Sequence, residues 1–153
     1  RGRRGSAGAS PDLGGELRVK TLADFRAGDT FELTREADRY RPIYYAAVSG
    51  DFNPIHIDPE VGRAAGFPGA ILQGMCTMAW LADACTAYLG DPARVKRLRV
   101  RFSRPVVVGD VVTFRGRCVA VEGPVVRLEV EARNQRGEEV LKGASAEGWL
   151  EAG

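Results

Sequence analysis

Two hydrophobic periods divide the chain. Thr30-Phe-Glu-Leu-Thr34 alternates apolar and polar residues after the turn-like Ala27-Gly28-Asp29, and this spacing predicts a strand. From Asp38 the period lengthens. Ile43, Tyr44, Ala47 and Val48 recur at helical spacing, with Asp38 as a candidate cap, Pro42 in the first turn and Gly50 as the left-handed stop. Residues 51–57 read as loop. Asp58-Pro59-Glu60 then reads as N-cap, first-turn proline and acidic first turn of a short helix running to about Ala65. Gly66, Pro68 and Gly69 punctuate before the longest apolar run, Met75 to Leu89. Met75, Met78, Ala79, Ala82 and Cys85 mark one face of it, and Trp80, Leu81, Ala84 and Tyr88 cover much of the rest. A helix apolar nearly all round is expected to be buried on most sides.

Beyond Gly90-Asp91-Pro92 the period becomes two. Leu98, Val100 and Phe102 alternate with Arg97, Arg99 and Arg101; Val112, Phe114, Cys118 and Ala120 form a second set, and Val126, Leu128, Val130 and Ala132 a third. Turn residues separate them at Val108-Gly109-Asp110, Glu122-Gly123-Pro124 and Asn134 to Gly137, and a last strand runs from about Glu139 to Leu150. Four successive strands with polar outer faces predict an antiparallel sheet covered on one side. The cover is the 75–89 helix. The fold class is therefore α+β: one long central helix wrapped by a strongly curved antiparallel sheet of about five strands.

Composition changes this picture little. The 153 residues, 44% hydrophobic and 27% charged, suit one domain with its own core. A net charge of +2 from 22 basic and 20 acidic residues gives no case for nucleic acid or a membrane surface. No apolar run approaches the ~18 residues of a membrane span. Cys76, Cys85 and Cys118 are an odd number in apolar surroundings without a CxxC pair, which predicts reduced thiols and a cytoplasmic setting. Residues 1–16 open with a basic, glycine-rich stretch lacking a signal-peptide core and are expected to be a flexible tail. Residues 17–153 form the single domain.

The candidate chemistry concentrates between the two periods. Ser49-Gly-Asp-Phe-Asn-Pro-Ile-His56 holds the chain's one histidine, five residues after a carboxylate. Taken singly, His56 fits a surface or core position and Asp51 and Asn53 fit an Asx turn. Together, a carboxylate and an imidazole on one constrained segment suit general acid–base work on a water or hydroxyl. Gly74 opens the apolar helix, where unpaired N–H groups and the positive dipole end suit a developing oxyanion. Acid, base and oxyanion donor together suit proton exchange beside a carbonyl.

Tyr45-Ala-Ala-Val-Ser-Gly-Asp-Phe-Asn-Pro-Ile-His56 resembles the signature of the MaoC-like, hydratase 2 group of hot-dog-fold proteins, and Ala70-Ile-Leu-Gln-Gly-Met-Cys-Thr-Met-Ala79 resembles the start of that group's central helix. The likeness extends more loosely from about Leu22 to Leu150. These proteins are (R)-specific enoyl-CoA hydratases and (3R)-hydroxyacyl thioester dehydratases. The resemblance implies that Asp51 and His56 form the catalytic dyad and that the Gly74 N–H binds the thioester carbonyl. It gives Asn53 a supporting role. The family usually has His-Gly where this chain has Gln73-Gly74, so Gln73 is a supporting residue that departs from the pattern.

The same resemblance implies reversible syn hydration of trans-2-enoyl thioesters, with no metal and no cofactor beyond the coenzyme A or acyl carrier protein that bears the acyl group. Met75, Met78 and Trp80 are candidates for the acyl tunnel. Arg97, Arg99 and Arg101, with Arg94, Lys96 and Arg104 nearby, are candidates for contact with phosphates or an acidic carrier; a solvated sheet face is the plainer reading. A homodimer is the simplest assembly, with a catalytic-plus-degenerate heterodimer as the variant. Two other functions remain. A hot-dog thioesterase would use an acidic residue on the central helix, for which Asp83 is the one candidate. A non-catalytic acyl-thioester-binding subunit would have lost the dyad.

Overall fold

The computed structural model describes residues 19–150. The expected 1–16 tail lies outside them. Five strands form one antiparallel sheet: β1 (Thr30–Glu36), β2 (Val95–Phe102), β3 (Val111–Glu122), β4 (Val125–Asn134) and β5 (Glu139–Trp149), in the order β1-β3-β4-β5-β2. Four helices interrupt the strand sequence after β1: α1 (Arg41–Ser49), α2 (Pro54–Ile57), α3 (Pro59–Ala64) and α4 (Gly74–Leu89). The α+β class with one long helix against five strands is as the periodicity predicted.

The alternating residues face α4. Val112, Phe114, Cys118, Val126, Leu128 and Ala132 are buried, and they form one cluster with Cys76, Trp80, Leu81, Ala84, Cys85 and Leu89 of the helix. Leu81, Leu89, Phe114 and Leu128 are almost wholly enclosed. Truncating such a side chain costs about 2–5 kcal/mol, because the transfer energy is lost and a cavity remains. Gly90, at φ 83°, ends α4 in the left-handed conformation that favours glycine.

Two local expectations change, and a third gains detail. Asp38 does not cap α1; its carboxylate accepts the N–H of Tyr40, two residues on, at 2.9 Å, and Tyr40 occupies the cap position. The α4 helix is buried on most sides, as expected, but one stripe along it stays open. Met75 is 55% exposed, and Ala79 and Asp83 also face outward, so its apolar surface exceeds what one sheet covers. The strand after α4 does not form a hairpin with the next one. It pairs with β5 across the sheet, Leu98 opposite Ala146, and residues 103–110 cross to the far side before β3 begins.

That crossover positions the functional region. Leu72 N–H donates to Val106 O at 2.7 Å and Val108 N–H to Ala70 O at 3.0 Å, so residues 70–72 lie as a short extended piece beside 106–108. Asp110 pins the crossover to the β4–β5 turn. Its buried carboxylate accepts from Arg136 at 2.8 and 3.2 Å, Gln135 Nε2 at 2.8 Å and Val107 N–H at 3.0 Å. Burial alone would raise its pKa, but the Arg136 and Gln135 hydrogen bonds outweigh it and hold the carboxyl below its ordinary 3.8. A depressed native pKa stabilises the fold above 3.8, and that stabilisation is lost as pH falls through the lower native value. Asp110→Asn should therefore cost about 2 kcal/mol at neutral pH, and the gap between variant and wild type should narrow below pH 3.8 in acid unfolding curves followed by circular dichroism.

The three cysteines are free and buried. Desolvation pushes the Cys76 thiol up to about 11 and the Cys85 thiol up to about 12, and raises Cys118 as well. None is a thiolate near neutrality. A disulfide-exchange reagent at mildly alkaline pH should leave the native chain unmodified and titrate all three thiols once it is unfolded.

Candidate active site

The Asn-Pro pair does more than bend a loop. Residues 51–53 are irregular, but Pro54–Ile57 make a turn of helix, α2, where a loop was expected. Asn53 is its N-cap: Oδ1 accepts the Ile55 N–H at 3.2 Å, and Pro54 fills the first helical position, where a missing N–H costs nothing. This turn aims His56 inward. Ile71 N–H donates to Ile55 O at 3.1 Å, and His56 Nδ1 lies 2.8 Å from Ile71 O, so the ring is fixed to the 70–72 segment by backbone alone. A close approach one helix later holds that segment in place. A Cβ on Gly62 of α3 would stand 2.1 Å from Gly69 O, so only glycine fits.

A carbonyl oxygen accepts only, so in the neutral ring Nδ1 carries the proton. The Nε2 lone pair then faces Asp51, whose Oδ2 is 3.5 Å away. The other carboxylate oxygen accepts the Asn53 N–H at 3.3 Å. The environments differ sharply: the His56 side chain is 10% exposed, the Asp51 side chain 46%. Two acceptors, one buried and one open to water, converge on one point. That arrangement is chemically suited to accept and return a proton at a bound water or hydroxyl.

His56 also lines an apolar cavity of about 310 Å3. Gly74 and Thr77 are the α4 residues in its wall, opposite Phe102 and Pro105 and closed behind by Leu72, Val140 and Leu141. As the first residue of a sixteen-residue helix, Gly74 has no intrahelical acceptor for its N–H. The Phe102 ring lies against it, 3.3 Å from where a Cβ would stand. The structure thus brings His56 and Gly74 to one cavity, with Asp51 at His56. Gln73, the residue before Gly74, is 1% exposed and sends its amide away from that wall, donating to Pro42 O at 3.0 Å and Asp51 O at 3.3 Å.

Other expected residues lie elsewhere. Met75 is on the outer side of α4, Met78 is half-buried and Trp80 is in the core; none lines this cavity, to which α4 contributes only Gly74 and Thr77. Arg97, Arg99 and Arg101 lie on β2 opposite Glu147, Ser145 and Lys142, with Arg97 ion-paired to Glu147 at 3.7 Å. Arg94 is taken up by the Leu89 and Lys20 carbonyls at 2.7 Å, and Lys96 lies beside a separate depression with Trp149. Arg104 does reach the cavity rim and pairs with Glu138 at 3.8 Å. Phe102, Pro105 and Val106 also line the cavity, though the sequence does not single them out as site residues. Phe102 was legible as the apolar end of an alternating strand, but nothing local announces that the crossover folds back over Gly74. Asp83 is exposed, ion-paired with Arg35 at 3.7 Å, and outside the cavity.

Residues 24–140 match the MaoC-like domain family. A probable enoyl-CoA hydratase 2 of Dictyostelium discoideum is 32% identical over 111 residues, 71% of this chain and 37% of that protein. A peroxisomal multifunctional enzyme type 2 of Drosophila melanogaster is 46% identical over 65 residues, 41% of this chain and 11% of the enzyme. The chain thus spans much less than two thirds of these two relatives. Among solved structures, the unliganded R-hydratase PhaJ1 of Pseudomonas aeruginosa superposes with a TM-score of 0.79 at 27% identity, covering 87% of this chain and 86% of that one. With the family matched over most of its length and the fold shared with an R-hydratase, the chain belongs to the MaoC-like domain family and has its hot-dog fold.

Proposed function

We propose that the chain catalyses reversible syn hydration of trans-2-enoyl thioesters to (R)-3-hydroxyacyl thioesters. The observation that carries this reading is the Asp51–His56 pair at 3.5 Å, with His56 in the wall of an apolar cavity that also holds the Gly74 end of α4. In hydration the water oxygen bonds to C3 while the alkene pair moves toward C2 and the thioester carbonyl. The dyad takes one proton from the water, and C2 receives one, so the pair ends in its starting state. Because both arrive from one side, addition is syn. The Gly74 N–H and the positive end of α4 oppose the charge that develops on the carbonyl oxygen. Dehydration is the same sequence in reverse.

The acyl group rides on coenzyme A or on a carrier protein's phosphopantetheine arm. The exposed Arg99 and Arg101 on β2, and Arg104 at the cavity rim, are the cations we assign to that phosphate-bearing handle. The outward apolar face of α4 at Met75 and Ala79, with the exposed Tyr44 and Val48 of α1, supports a homodimer. Three buried thiols suit a reducing compartment such as the cytoplasm. A thioesterase centred on Asp83 is disfavoured, since that carboxylate points to Arg35 and lies away from the cavity.

The test follows loss of enoyl absorbance from crotonyl-CoA and longer trans-2-enoyl-CoAs, with free thiol read in parallel. Hydration without thiol release is expected. Asp51→Asn and His56→Ala should each lower kcat/KM at least about a hundredfold with circular dichroism unchanged. Near-normal turnover in either variant removes that residue from the chemistry, and thiol release without hydration replaces the reading with thioester hydrolysis.

A further inference from the structure

Gln73 occupies the N-cap position of α4 but makes no side-chain cap. Its backbone carbonyl already accepts from Cys76 and Thr77 at 3.0 and 3.3 Å. The side chain is instead turned back under α1, and its Nε2 donates to two carbonyls, Pro42 O at the start of that helix and Asp51 O just beyond its end. The Oε1 end is buried with no partner. A buried amide that leaves its acceptor unsatisfied is oriented by its donor half alone, because the flipped amide would set oxygen against two carbonyl oxygens.

The helix that these two bonds span is lightly anchored. Only Pro42 and Ala46 of α1 are buried and Tyr45 packs half-buried against the core, while Ile43, Tyr44 and Val48 are exposed. Packing that slight does not fix the chain leaving its C-terminus to within the few tenths of an ångström that proton transfer requires. His56 is fixed independently, through Ile71 O. Asp51 is held locally by its N–H, which donates to Ser49 Oγ at 3.2 Å, and by Oδ1, which accepts the Asn53 N–H at 3.3 Å; the bond from Gln73 to its carbonyl is the one that ties it to the start of α4. The residue beside Gln73 is Gly74, so one side chain references the carboxylate to the start of the helix that lines the cavity.

We propose that Gln73 is a positioning residue: by holding the Asp51 carbonyl against the start of α4 it sets where the Asp51 carboxylate meets His56. This rests on the hydration reading above for its effect on rate, but not for its effect on geometry. Neutrality matters as much as reach. A glutamate of the same shape would present an oxygen to both carbonyls, and a methionine would present nothing. A histidine carries an N–H on Nε2, as many bonds from Cβ as the glutamine nitrogen, and can serve one of the two carbonyls.

The experiment compares Gln73→Met, Gln73→Glu and Gln73→His with wild type in melting temperature, in kcat and KM on crotonyl-CoA, and in the nitrogen NMR spectrum of the His56 ring. His56 is the chain's one histidine, so wild type, Gln73→Met and Gln73→Glu each give a single imidazole. The Nε2 resonance, which faces Asp51, should move in the Met and Glu variants, while Nδ1, bonded to Ile71 O, stays. Their kcat should fall about a hundredfold, as expected for slight misplacement of a reacting group, with KM little changed. Gln73→His should recover most of that kcat. A folded Met variant with unchanged kcat and an unmoved Nε2 resonance overturns the proposal. So does a lowered melting temperature with no movement of Nε2, the signature of a merely structural role. Should Met or Glu fail to fold, the other decides. If wild type itself hydrates no enoyl thioester, the functional reading fails, and the Nε2 resonance alone still judges the positioning.

Discussion

A twisted sheet with one apolar face must have that face covered, and in this chain α4 does it. The packing of Trp80, Leu81, Cys85 and Leu89 on Phe114, Cys118, Val126 and Leu128 fixes the direction of the helix and so the place where its first turn ends. Everything that bears on chemistry is referenced to that end. The 103–110 crossover runs past it, the 70–72 segment leads into it, and α2 hangs on that segment through Ile71. The Asp110 cluster closes the circuit by tying the crossover to the far hairpin. The site is thus assembled from pieces that are individually small. Six- and four-residue helices could not stand alone, and they hold their places through backbone bonds to segments that the sheet has already fixed.

This division explains what the sequence made legible. Alternation at Val112 to Ala132 and the apolar run from Met75 to Leu89 are period signals that follow directly from burial on a sheet or helix face. Asp51, His56 and Gly74 stand out in the sequence as candidates, because acid, base and bare N–H are recognisable residue types in a short compass. Topology does not. Residues 95–102 read as a strand, but nothing local says that they pair with β5 at the far edge. For the same reason the sequence does not show which residues line the cavity. Met75 and Met78 sit in the right stretch, but the rotation of α4 on the sheet turns Gly74 and Thr77 to the cavity, Met75 outward, and leaves Met78 half-buried outside the cavity wall. Composition fixes that a helix is apolar; only the partner surface fixes which side is covered.

Gln73 illustrates the opposite case. By sequence it is a departure from a motif, and departure suggests loss. In place it is among the most enclosed polar side chains, spanning both ends of α1 with one nitrogen. Its role is invisible in the sequence because its two partners are backbone carbonyls 31 and 22 residues away, and a backbone acceptor leaves no residue-type signature.

The bond from the His56 ring to Ile71 O has a dynamic consequence. Nδ1 keeps its hydrogen and its partner whether Nε2 is bare or protonated, so the imidazole passes through both charge states without rotating about its side-chain bonds. In the proposed reaction, proton exchange at Nε2 would then demand little rearrangement of the surrounding protein, and the carbonyl dipole that holds the ring would also steady the positive charge.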